Sequence, residues 1–239
     1  MKNYIRVSMA SALVAASLVS FGVLAFPQSG EWHTAPTAQR PGNGDIYATG
    51  SLQDWGITCA HCHINNAQQQ GKIDFTVTPT PAWQKVGGAD AYKPGQSYAM
   101  TVTMSKAGMA PTPGDNLGAP GNNNNINGFT LTVEDVGGAP QGTFWSDTVP
   151  APAACPPTAP SPDALAMGPG HTTYTYGSCH TIVSLDLPAV LTQWNFTWKA
   201  PAAGAGDLTI YYGAVDGDGK KTSLGDDVKV GTVKLKEGP

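Results

Sequence analysis

Charge is scarce in this chain. Only 13% of its 239 residues are Asp, Glu, Lys or Arg. Basic residues are fewer than acidic ones, 13 against 17, and nowhere form a stripe. Nucleic acid and anionic lipid surfaces are therefore not expected as partners. The sequence also lacks helical apolar periodicity, and beyond residue 25 it has no apolar run long enough to cross a bilayer. No nucleophile–base pair, phosphate loop or paired-acid constellation stands out, so hydrolytic chemistry has no support and enzyme status stays open. What the chain has in quantity is 29 Gly and 20 Pro, which argues for a loop-rich domain.

The first residues, MKNYIRVSMASALVAASLVSFGVLA, place Lys2 and Arg6 before an apolar stretch from Met9 to Leu24, ending in Val23-Leu24-Ala25. This is the form of a secretory signal peptide, residues 1–25, cleaved before Phe26. Its removal leaves 239 − 25 = 214 residues and no membrane span. Without Lys2 and Arg6 the balance is 11 basic to 17 acidic residues, a net charge of −6. The expected location is periplasmic or extracellular. Residues 26–46 show no periodicity and read as an extended N-terminal arm, followed by one domain over 47–239.

Period-two alternation marks the strands. KIDFTVT, SYAMTVTM, GFTLTV, HTIVSL, QWNFTWK, DLTIYYGAV and VKVGTVKL place β-branched and aromatic residues on one face, bounded by Gly, Pro and Asn. Seven or eight half-buried strands with no helix between them predict a β-sandwich. Lys93-Pro94-Gly95 and Asp216-Gly217-Asp218-Gly219 read as turns. Two long loops are predicted, Ala107 to Ile126 and Asp147 to Tyr176.

Chemistry concentrates in TCAHCH, Thr58 to His63. Cys59-Ala60-His61-Cys62-His63 fits the pattern for covalent attachment of one haem c. Each thiol adds its sulfur and its hydrogen across a haem vinyl group, and the adjacent His63 reaches the iron as proximal axial ligand. Two other readings stay open. Cys59 and Cys62 could join some of His61, His63, Cys179 and His180 on zinc, or form a small disulfide loop with each other. His61, tethered between the cysteines, is not expected to ligate.

Cys155 and Cys179 are the remaining pair, and in an exported chain they are expected to form a disulfide contributing about 3 kcal/mol by loop closure. For the far side of the iron the candidates are His33, His171, His180, Met100, Met104, Met109 and Met167. Met100 and Met104 share a strand face and fit a core better. His180 is preferred because it follows Cys179 and opens a strand. Asn195-Phe196-Thr197 fits a glycosylation pattern but lies inside an alternating strand.

Taken together, YATGSLQDWGITCAHCH, YKPGQSYAMTVTM, NGFTLTV, QWNFTWKAPAAGAGDLTIYYGAVDGDG and the final VKVGTVKL resemble exported bacterial reelin-type (Reeler-like) domains over roughly Tyr47 to Leu235. The most specific part is Trp194, Phe196, Trp198, Ala200 and Pro201, then Gly204 to Gly206 and TIYYGA. The resemblance implies an immunoglobulin-like β-sandwich with a Cys-x-x-Cys-His segment near its N-terminus. It also implies a histidine about 14 residues ahead of the Trp-x-Phe-x-Trp run, the position of His180. The two long loops and the Cys155–Cys179 pair depart from it as local insertions. The expected function is a single-haem c-type cytochrome in electron transfer, with His63 and His180 as axial ligands and a basic redox partner protein. A non-redox surface or adhesion module is the alternative, and a haem sensor or peroxidase the third. Self-assembly into arrays is compatible with each.

Overall fold

The computed structural model describes residues 48–61, 73–106, 126–146, 173–176, 179–184, 191–217 and 226–239. They form an all-β sandwich. Its strands are β1 (Ile73–Thr80), β2 (Gln84–Val86), β3 (Ala89–Tyr92), β4 (Ser97–Lys106), β5 (Ile126–Asp135), β6 (Thr143–Ser146), β7 (Thr173–Tyr176), β8 (Thr181–Ser184), β9 (Gln193–Lys199), β10 (Leu208–Gly217) and β11 (Asp227–Glu237). One sheet has the order β1-β4-β9-β6, the other β2-β3-β11-β10-β5-β8-β7. Every pairing is antiparallel except the short parallel contact of β11 with β3.

The inward residues are the ones that alternation selects. Tyr98, Met100, Val102 and Met104 of β4 and Trp194, Phe196 and Trp198 of β9 face Phe129, Leu131 and Val133 of β5 and Leu208, Ile210 and Ala214 of β10. Aromatic rings bridge the layers. Phe129 lies 5.2 Å from Trp194 and 5.8 Å from Phe196, centroid to centroid, and Phe75 lies 5.1 Å from Tyr212. Such contacts add to the area term because offset and edge-on rings attract through their quadrupoles. Lys93-Pro94-Gly95 closes a turn, with Gln96 N donating to Lys93 O at 3.1 Å and Gly95 at φ +71°. Proline then glycine at the two central positions is what a type II turn requires.

Three features differ from the sequence-based expectation. Among the described residues there are eleven strands where seven or eight were expected, because β2, β3, β6 and β7 are three or four residues long and too short to show a period. The predicted loop Asp147 to Tyr176 ends in β7. Its earlier part, the segment 107–125 and the turn segment 218–225 lie outside the described residues. Finally, β5 is not half-buried. Its outward residues Thr130, Thr132 and Glu134 are as hidden as its core face. The outer side of this sheet therefore carries a covering layer, and that layer leads to the cysteines.

Candidate cofactor-attachment site

The covering layer includes residues 48–61, wound into a tight closed loop. Gly50 N donates to Ile57 O at 2.8 Å, Gly56 N to Ser51 O at 2.9 Å, and Thr49 bridges Thr58. Inside the loop the buried Asp54 carboxylate accepts from Thr49 N at 2.6 Å and from the Thr49 hydroxyl, and Asp54 N donates to Ser51 Oγ at 3.1 Å. The loop is pinned to the sheet by Glu134. This side chain, 0% exposed, accepts from Leu52 N at 3.1 Å and Gln53 N at 3.3 Å.

Burial pushes the Glu134 carboxyl above its ordinary pKa, while the Ser51 hydroxyl and the two N–H groups pull it back and Asp54 adds to the rise. A carboxyl with a raised folded pKa favours the fold most below the ordinary carboxylate range, and that contribution fades as pH rises through the folded value. Glu134→Ala should cost about 2 kcal/mol, because two amides lose their acceptors. The urea midpoint is the measurement, and the gap to wild type should narrow from acid to neutral pH. A gap that widens would contradict the assignment.

The loop delivers Cys59 at the start of a 3₁₀ turn, Cys59–His61. Its Sγ donates to Ala48 O at 3.6 Å. The sulfur rests on β10 over Gly213, where an added Cβ would fall 2.6 Å from Sγ and 3.1 Å from Ala48 O. Gly213 lies between Tyr212, which is partly buried against the core, and the core residue Ala214, so alternation turns it outward. A glycine inside a strand marks such a close approach.

His61 is held by its own turn. Its Nδ1 accepts from Thr58 N at 3.0 Å, so the neutral ring carries its proton on Nε2 and has no free lone pair to offer a metal. His180 shows the opposite arrangement. Its Nδ1 lies 2.6 Å from Gly142 O. A carbonyl can only accept, so Nδ1 carries the proton and Nε2 keeps its lone pair. This is how ligating histidines are oriented. The backbone there is fixed as well, with Phe144 N donating to Cys179 O at 2.7 Å and Thr132 Oγ1 to His180 O at 3.1 Å.

Cys179 is disulfide-bonded and sits at φ +66°. It is thereby withdrawn from the zinc ligand set. Among the described residues no three His, Cys, Asp or Glu side chains gather to hold a metal ion. Cys59 and His180 are not adjacent. Cys59 lies over β10 and His180 opens β8, with β5 between them, so roughly 10 Å of sheet separates their strands. Met100 and Met104 are both core residues. Cys62, His63, Cys155, His33, His171, Met109 and Met167 lie outside the described residues. Glu134, Gly142 and Gly213 were not singled out by sequence reasoning. For Gly213 a signal existed, a lone glycine within TIYYGA.

No family model matches the chain, and no curated protein matches it. Among solved structures it is similar to two fragments of the human F-spondin reeler domain. One has 19% identity and TM-score 0.40, covering 73% of this chain and 93% of that one. The other has 19% identity and TM-score 0.38, covering 71% and 96%. The Reelin-N domain of F-spondin gives 20% identity and TM-score 0.37, covering 69% and 87%. No residue role is taken from these likenesses.

Proposed function

We propose that the protein is an exported single-haem c-type cytochrome that carries electrons. The observation that supports it is the placing of Cys59, at the head of a 3₁₀ turn over a strand glycine and followed in sequence by Cys62 and His63. In this reading Cys59 and Cys62 form the two thioethers. Each addition makes one S–C bond and moves the thiol hydrogen to the neighbouring vinyl carbon, so no oxidant is consumed. His63 is the proximal ligand. His180 is the distal one, its Nε2 lone pair kept for iron by the Nδ1–H bond to Gly142 O. Cys155 partners Cys179 and steadies the turn that carries His180. When bound, the haem supplies a one-electron couple. The chain's own part is to tether it, fix both imidazoles and present an acidic surface, which suits a basic partner protein.

The test is to export the full chain with a cytochrome c maturation system, denature it and extract with acidified organic solvent. One haem per chain should stay with the protein, and its mass should equal polypeptide plus haem. The Cys59→Ala, Cys62→Ala double variant should retain none. An apoprotein mass for wild type would overturn the proposal in favour of a non-redox surface or adhesion module. Ready carbon monoxide binding by reduced wild type would favour a sensor or peroxidase instead.

A further inference from the structure

The inner face of the seven-stranded sheet ends, at one side of the core, in a polar row. Asn127 of β5 is the direct partner of Asp216 of β10, and Asp216 is the direct partner of Asp227 of β11. Period two puts all three on the inward face, in step with Phe129, Ala214 and Leu235 of the core. Asn127 is 3% exposed, Asp216 3% and Asp227 6%. Direct partners hold their Cβ atoms about 5 Å apart. The Asp216 carboxyl therefore has a second carboxyl on one side and a carboxamide on the other. Lys229, one row further in, is the described basic residue nearest in register, and its Nζ reaches across to Asp74 Oδ1 of β1 at 3.6 Å.

Asn127 gives an independent sign of what the row holds. Its Nδ2 donates to Leu191 O at 2.9 Å. A carbonyl can only accept, so this bond fixes which end of the amide is nitrogen. The other end, Oδ1, is buried and has no hydrogen-bond partner. An acceptor left in that state costs about 1–3 kcal/mol. Beside two carboxylates, a cation is the group that an unused carbonyl oxygen suits.

We infer that this row is a calcium site, with carboxylate oxygens from Asp216 and Asp227, the Asn127 carboxamide oxygen, and water completing the shell. Among the described residues no three His, Cys, Asp or Glu gather to hold a metal, so the third protein oxygen is the amide. The row has no sulfur or imidazole, and an all-oxygen set selects a hard cation over zinc or copper. Magnesium asks for a near-ideal octahedron, whereas calcium accepts an irregular shell of about six to eight oxygens. Donors projecting from three neighbouring strands of one sheet suit calcium. With only two carboxylates the affinity should be that of extracellular modules, a Kd of about 10⁻⁴–10⁻³ M. The ion would clamp the ends of β5, β10 and β11, and the inference does not depend on the haem reading.

The experiment uses the exported full chain, freed of metal by a chelator and titrated with calcium chloride in a calorimeter. One calcium per chain should bind, and the thermal midpoint should rise with calcium more than with equal magnesium. Asp216→Asn and Asp227→Asn keep the shape and remove a charge. Each should weaken calcium binding about tenfold or more. Their metal-free midpoints should hold or rise, because like charges directly opposite repel. Asp207→Asn, at the other end of β10 and paired with Lys236, should bind as wild type does. No heat and no midpoint shift in wild type at about 10 mM calcium, well above the expected Kd, would overturn the inference. Binding that survives both Asp216→Asn and Asp227→Asn unchanged would place the ion elsewhere and overturn it equally.

Discussion

Trp198→Ala is expected to remove about 3–5 kcal/mol of unfolding free energy, the usual range for deleting a buried aromatic. Trp198 is fully buried at the meeting point of both sheets. Its ring stacks on Tyr98 at 5.8 Å and meets Tyr92 and Trp83 edge-on, each at 6.1 Å. Its Nε1 donates to Gln141 O at 3.3 Å. Truncation would leave a cavity among these rings and strip Gln141 O of its donor. A domain of this kind has roughly 5–15 kcal/mol in total, so the variant would sit near the edge of stability. Urea unfolding is the measurement, with a lowered midpoint and an unchanged slope expected. Trp198→Phe should lose less than half as much, because most of the ring contacts remain. Equal losses for the two would mean that the indole nitrogen, not the packing, matters at this site.

That centre of the fold is the part most easily read from sequence. Trp194, Phe196 and Trp198 alternate with exposed residues over seven positions, and Tyr98 to Met104 do the same on the paired strand. A period of two records one buried face, and in these strands only one face is buried. β5 defeats the rule. In GFTLTV the threonines read as solvent-facing, yet Thr130 and Thr132 are hidden, because residues far away in the chain come back over them. The docking of 48–61 is a contact across 81 and 82 positions, Gln53 and Leu52 to Glu134, made through backbone amides that have no sequence signature. Short strands escape for a different reason. Gln84–Val86 is exposed at every position and is a strand only because β3 lies beside it.

The candidate site divides in the same way. Cys59, Cys62 and His63 stand out in sequence because the pattern of thiols and imidazole is local, and Cys62 and His63 lie outside the described residues. The groups that seat Cys59 do not, since Gly213 lies 154 positions further on. The same holds for Gly142, whose carbonyl orients His180 from 38 positions away. Gly142 also explains why that carbonyl is where it is. At φ +74°, with an added Cβ 2.4 Å from Trp198 Nε1, no other residue fits. The tryptophan that fills the core thus also fixes the peptide that holds the histidine.

On the cytochrome reading proposed above, His180→Ala should change the iron without unfolding the protein. His180 is only partly buried, and its backbone contacts, to Thr132 Oγ1 directly and through Cys179 O to Phe144 N, survive the substitution. With the sixth ligand gone, the oxidised form should move towards a high-spin spectrum, and the reduced form should bind carbon monoxide where wild type does not. The midpoint potential should shift, because axial-ligand identity is a principal lever on it. Absorbance titrations of both forms, with and without carbon monoxide, supply the comparison. An unchanged spectrum, with His171→Ala producing these effects instead, would transfer the distal role to His171. The Nδ1–H bond of His180 to Gly142 would then only fasten the start of β8 to the opposite sheet.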